Sequence, residues 1–168
     1  KFDHFPWDAP IESTELGSMV DSSDILDYDY GLINITDSKA LESMVTIIRS
    51  NGQNSELIIK EGRKVTSYGA HVCKSGLITR VTCGFVKAFI TVSTRKNGAG
   101  MIENLIYYGK DTSEISSGGD SRCPVFTYSQ DLITVGLIGI HVKRLTVISE
   151  YLPLEVILNR SDVELVVS

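Results

Sequence analysis

This 168-residue chain contains no run of 18 or more apolar residues, so it supplies no helix able to cross a bilayer, and no membrane partner is expected. It also lacks a basic surplus. Twenty-one acidic residues against 16 basic ones give a net charge of −5 and a pI near 5.2, which argues against a nucleic-acid partner. No internal repeat and no low-complexity tract is present. No signal peptide is visible, and the chain opens on Lys1 rather than Met, as expected of a processed product or a fragment. Cysteine and histidine are scarce, at three each, which confines any thiol or imidazole chemistry to a few positions. What the chain does have is 42% hydrophobic and 22% charged residues at the length of one ordinary domain, a globular composition with enough material for a core.

That apolar content is laid out as short strands. Residues 27–36, 43–48, 56–60, 67–73, 81–92, 101–108, 125–127 and 133–141 are apolar or β-branched runs broken by Gly, Asn, Asp or Ser. Such spacing predicts an all-β barrel or sandwich. Residues 1–23 read as loop. Only the tail differs: Leu145, Ile148, Leu152 and Val156 recur at near-helical spacing, interrupted by Pro153. Cys73 and Cys83 flank a predicted turn at Ser75-Gly76 and form a candidate bridge, with Cys123 left over. Closing that loop of about eleven residues would contribute roughly 3 kcal/mol in the chain-entropy model. Asn34-Ile35-Thr36 and Asn159-Arg160-Ser161 are sequons, making Asn34 and Asn159 candidate glycosylation sites. Together with a disulfide they favour a secreted protein.

One loop stands apart chemically: Ser116-Ser117-Gly118-Gly119-Asp120-Ser121-Arg122-Cys123-Pro124-Val125-Phe126. Glycine lets the backbone turn so that neighbouring N–H groups converge on one point, and a serine just after it projects its hydroxyl at that point. Nucleophile and oxyanion donors would then be held by one short piece of chain. A Gly-Asp-Ser in a Ser/Gly-rich loop is also an ordinary turn, so the loop alone does not decide.

Several segments in register do more. Gly118-Gly119-Asp120-Ser121 with Pro124-Val125-Phe126 resembles the nucleophile loop of chymotrypsin-fold serine peptidases, nearest to the α-lytic peptidase and streptogrisin group. Residues 68–84, with Cys73-Lys74-Ser75-Gly76 and Cys83-Gly84, are similar to that group's Cys-Arg-Ser-Gly…Cys-Gly hairpin. Asp29-Tyr30-Gly31-Leu32-Ile33 is similar to its Asp-Tyr-Gly-Ile-Val, whose aspartate is the triad acid, and residues 145–168 match its C-terminal segment in length and apolar pattern. The resemblance implies one trypsin-like peptidase domain over residues 1–168. It would be a chymotrypsin-like double β-barrel of two six-stranded Greek-key barrels with a C-terminal helix. Residues 1–50 would be the remainder of an incomplete first barrel, and 51–168 the second barrel and C-terminal segment.

The same resemblance implies the roles. Ser121 is the nucleophile, Asp29 the triad acid, Asp120 a buried carboxylate bracing the loop, and the N–H groups of Gly119 and Ser121 the oxyanion donors. Gly118, Gly139, Ile140 and His141 fall where the group binds substrate backbone. The base must lie upstream of Asp29, where His4 stands. Its Lys1-Phe2-Asp3-His4 context departs from the group's Thr-Ala-small-His-Cys. His71 reads as a strand residue beside Cys73, and His141 lies on the far side of Ser121. Arg122-Cys123 also replaces the paired glycines that usually follow the nucleophile. Two functions stay open: a secreted serine endopeptidase acting on polypeptides, or an inactive homologue serving as a binding or regulatory module. The chain as written is expected to be inactive, with an upstream chain or pro-segment as the partner that completes the first barrel, or an inhibitor as ligand. No metal and no organic cofactor are implied.

Overall fold

The computed structural model describes residues 2–4, 14–22, 30–36, 46–94 and 101–168, which belong to two compact units, Lys1–Val45 and Thr46–Ser168. In the first unit β1 (Phe2–His4), β2 (Thr14–Ser22) and β3 (Gly31–Ile35) form an antiparallel sheet in that order. Tyr30 is buried at the entry to β3, and Asn34 is exposed within it. The triad-acid candidate Asp29 lies outside the described residues.

The second unit is a closed barrel. Its strands are β4 (Ile47–Arg49), β5 (Glu56–Gly62), β6 (His71–Gly76), β7 (Arg80–Thr94), β8 (Met101–Gly109), β9 (Pro124–Tyr128), β10 (Thr134–Leu145) and β11 (Ile148–Pro153). The sheet runs β11-β8-β7-β6-β9-β10-β5-β4, and β11 also pairs with β10, closing a six-stranded ring. Closure removes the edges that an open sheet would leave exposed. β5 joins β10 in parallel along Thr134–Leu137, and β11 takes the same strand from Gly139 onward. β4, expected within the first barrel, pairs instead with β5 in this unit.

Two apolar clusters fill the barrel unit. Val72, Val86, Ile106, Tyr108, Ile115, Val125, Ile138 and Tyr151 make one, and Ile48, Leu57, Cys73, Phe126 and Val135 the other. β6 is buried along Val72–Gly76, on both faces, which is why its sequence does not alternate. The tail was expected to carry helical spacing from Leu145. The structure ends β10 at Leu145, turns, lays down β11, and starts α1 (Leu154–Arg160) only after Pro153. Proline explains the border. With φ −60° and ψ 141° it is extended, and it can precede a helix but not sit inside one.

Candidate active site

The site is built around Asp120. Its side chain is fully buried and accepts hydrogen bonds from the Ile78 N–H (2.9 Å), the Thr79 N–H (3.1 Å), the Ser117 N–H (2.9 Å) and the Thr79 hydroxyl (2.6 Å). Lys74 Nζ lies 3.0 Å from Oδ2, itself wholly buried, and also donates to Thr79 Oγ1. Burial works to raise the Asp120 carboxyl, but the hydrogen bonds from Thr79 and Ser117 and the Lys74 ammonium outweigh it. The group is held well below the ordinary carboxylate range. Asp120 is therefore an anion that ties three segments together: the 116–123 loop, strand β6 through Lys74, and the β6–β7 turn through Ile78 and Thr79. Gly76 makes room for this. A Cβ there would lie 2.3 Å from Asp120 Oδ1.

This anchoring presents Ser121 at the surface, one residue beyond the buried Asp120. Gly119, also exposed, takes φ +103°, a conformation that side chains strain to reach, so the turn needs a glycine. Arg122 follows at φ +69°. A left-handed arginine costs on the order of 1–2 kcal/mol, which accounts for the glycine usually found there. The Asp120 N–H donates to Ser117 O (3.1 Å) and the Cys123 N–H to Asp120 O (3.2 Å), two successive tight turns of which the second contains Ser121. Cys123 is a free, half-buried thiol, and burial pushes it up to about 12, leaving it protonated and unreactive at neutral pH.

Of the substrate-contact candidates, Gly118 is exposed at the loop, whereas Gly139 and Ile140 lie inside the sheet. Gly139 pairs with Val125 on one side and Pro153 on the other, and Ile140 with Pro124 and Leu152. A Cβ at Gly139 would lie 2.1 Å from Leu152 O. His141 extends the same pairing: its N–H donates to Cys123 O (2.8 Å) and its carbonyl accepts from the Arg122 N–H (2.6 Å). Its ring is 1% exposed and bonds Tyr108 Oη through Nδ1 at 3.0 Å. Burial, with Lys74 nearby, lowers this imidazole to about 4, so it is neutral at physiological pH. Beyond His141, β10 runs on through Val142, Lys143 and Arg144 against β11, with no β9 partner among the described residues. Residues 142–144 thus continue β10 past its last β9 pair, beyond the expected substrate contacts at 139–141.

Strand β1 carries His4, paired with Thr14. His71 is exposed on β6, its ring 5.5 Å from that of Phe85. Cys73 and Cys83 face each other in the β6–β7 register and form the disulfide anticipated from their spacing. His71, Cys73 and Cys83 bring metal-donor atoms within 4.8 Å of one another, but the disulfide occupies both sulfurs. Asn159 is exposed on α1. Clefts of about 330 and 340 Å³ lie elsewhere on the barrel unit, the first between Phe89, Asn104 and Val156, the second between Asn54, His71 and Tyr128. Neither is lined by the 116–123 loop, so the chemistry at Ser121 marks the site and volume does not. Lys74, Thr79 and the β6–β7 turn were missed as site elements. The strand sequence His71-Val72-Cys73-Lys74-Ser75-Gly76 carries no local signal that its lysine is buried.

No protein-family model and no curated protein matches the chain. Solved structures do. A glutamic acid specific serine protease, described as using a histidine triad in substrate binding, superposes with a TM-score of 0.65 at 22% identity, covering 86% of this chain and 71% of its own. Protease A of Thermobifida fusca gives 0.71 at 19% identity, covering 90% and 75%. The chymotrypsin of Cellulomonas bogoriensis gives 0.64 at 16% identity, covering 90% and 76%. At such identities the likeness is one of backbone, and it agrees with the closed barrel and the C-terminal helix: the chain has the chymotrypsin-like fold of these serine proteases.

Proposed function

We propose that the protein is a secreted serine endopeptidase that acts on polypeptides through an acyl-enzyme on Ser121. One observation carries the reading: the buried Asp120, with its lysine and four hydrogen-bond donors, fixes a turn whose tip is an exposed serine preceded by a left-handed glycine. A solvated loop has no use for a desolvated ion pair, whereas a nucleophile that must be held to fractions of an ångström does. In this reading Ser121 Oγ attacks the scissile carbonyl, and the N–H groups of Gly119 and Ser121 stabilise the oxyanion. A histidine upstream of Asp29, for which His4 is the candidate in this numbering, takes the serine proton and returns it to the leaving amine, with Asp29 holding the imidazole. The substrate backbone pairs with the edge of β10 at Val142–Arg144, next to the point where Arg122 and Cys123 pair with His141. The disulfide and the exposed sequon asparagines Asn34 and Asn159 support an extracellular setting. None of these steps calls on a metal or cofactor.

A second reading, a peptidase-like scaffold that binds polypeptide without cutting it, is favoured by Arg122, a bulky strained residue directly after the serine. Pre-steady-state kinetics on the full gene product separate the two. With an activated nitrophenyl ester the endopeptidase reading predicts a burst of about one equivalent of nitrophenol, lost in Ser121→Ala. A full gene product with no burst is the scaffold.

A further inference from the structure

We propose that Leu77 and Ile78, in the turn between β6 and β7, form the subsite for an apolar residue on the leaving-group side of the scissile bond; the inference rests on the endopeptidase reading. Both residues are more than half exposed, 57% for Leu77 and 56% for Ile78, and as neighbours in one turn they present adjoining apolar surface. They are also held rigidly. The N–H groups of Ile78 and Thr79 bind Asp120 Oδ1 at 2.9 and 3.1 Å, so the turn is fastened to the same carboxylate that positions Ser121. A side chain on Gly119 would meet Ile78 at once: its Cβ would lie 2.8 Å from Ile78 Cγ1. Ile78 therefore forms the rim of the point at which the Gly119 N–H would receive the oxyanion.

Sheet order says which side of the bond this is. The strands run β7-β6-β9-β10, and the 116–123 loop feeds β9, so β10 flanks it on one side and the β6–β7 turn on the other. In the endopeptidase reading the acyl portion of the substrate lies along the β10 edge. Its chain must leave past Ser121 in the opposite direction, across Leu77 and Ile78. A preformed apolar rim at that exit selects an apolar side chain, because burying it removes apolar area from water without ordering new structure.

The test holds the acyl portion of a peptide series constant and varies the residue just after the cut. The full gene product is expected to cleave Leu, Ile or Phe there about tenfold faster in kcat/KM than Gly or Asp, within the range available to an apolar pocket. Ile78→Ser and, separately, Leu77→Ser should collapse that ratio several-fold, while Val166→Ser, exposed on the C-terminal tail, should leave it alone. The ester burst reports the nucleophile independently in each variant. A burst with an unchanged ratio in both serine variants, or no preference in the parent, overturns the subsite and leaves the endopeptidase reading standing. A parent without a burst overturns both.

Discussion

Lys74 is where the physics of the site is most exposed to a single substitution. Its ammonium and the Asp120 carboxylate are both fully buried and 3.0 Å apart. Such a pair contributes little net stability against an apolar replacement of both partners, but removing one partner strands the other charge. Lys74→Met is predicted to cost about 3–5 kcal/mol, read as a shift of the urea midpoint at constant slope. The same variant should loosen the turn that presents Ser121.

His141 gives the pH prediction. Its folded value of about 4 lies below the ordinary 6.5, so the native state binds fewer protons than the unfolded chain between the two. Its contribution is fully present above pH 6.5 and is lost as pH falls towards 4, a change of about 3 kcal/mol at most. Asp120, also lowered, acts in the same direction at more acid pH. Chemical denaturation between pH 7 and 4 should show stability falling in parent protein and falling less in His141→Phe. Equal slopes in both would mean that the imidazole is not held neutral.

Among the elements, the β6–β7 hairpin does most to organise the site. It carries the disulfide, Lys74, the space at Gly76 and the Asp120-bound turn. The double variant Cys73→Ala/Cys83→Ala is predicted to lose about 3 kcal/mol, given a loop of eleven or so residues, and to melt several degrees lower by calorimetry. Gly76→Ala should be worse than its size suggests, because the methyl group meets the Asp120 carboxylate rather than a yielding side chain.

This hairpin was legible in the sequence because cysteine spacing is a local signal, although the turn falls at 77–79 and the expected turn residues Ser75 and Gly76 are the paired end of β6. The role of Lys74 was not legible. Its partner is 46 residues away, and nothing in the strand pattern says that a lysine will be buried. The substrate edge was no more legible. Which residues of β10 pair with β9 depends on the ladder ending at Pro124 and Ile140, which is a matter of long-range register. The tail was misread for a different reason: apolar residues of a strand pair and of a short helix, read together, mimic helical spacing until Pro153 is given its full weight.

For the molecule as a whole, the all-β class followed from many short apolar runs, and the barrel with its C-terminal helix from the resemblance of four segments to chymotrypsin-fold peptidases. Among the described residues of the barrel unit, the buried ion pair of Lys74 and Asp120, bridged by Thr79, lies near the neutral His141 bonded to Tyr108, apart from the buried Ser116–Ser149 pair. Asp29 and His4, the rest of the proposed machinery, belong to the other compact unit. The account therefore stands or falls on whether Ser121 behaves as an activated nucleophile or as one more surface serine. Intact-mass and peptide-mapping analysis after exposure of the full gene product to a fluorophosphonate measures this directly. The account predicts one adduct per chain, located on Ser121 and abolished by Ser121→Ala. An unmodified Ser121 in folded, disulfide-bonded protein would contradict it.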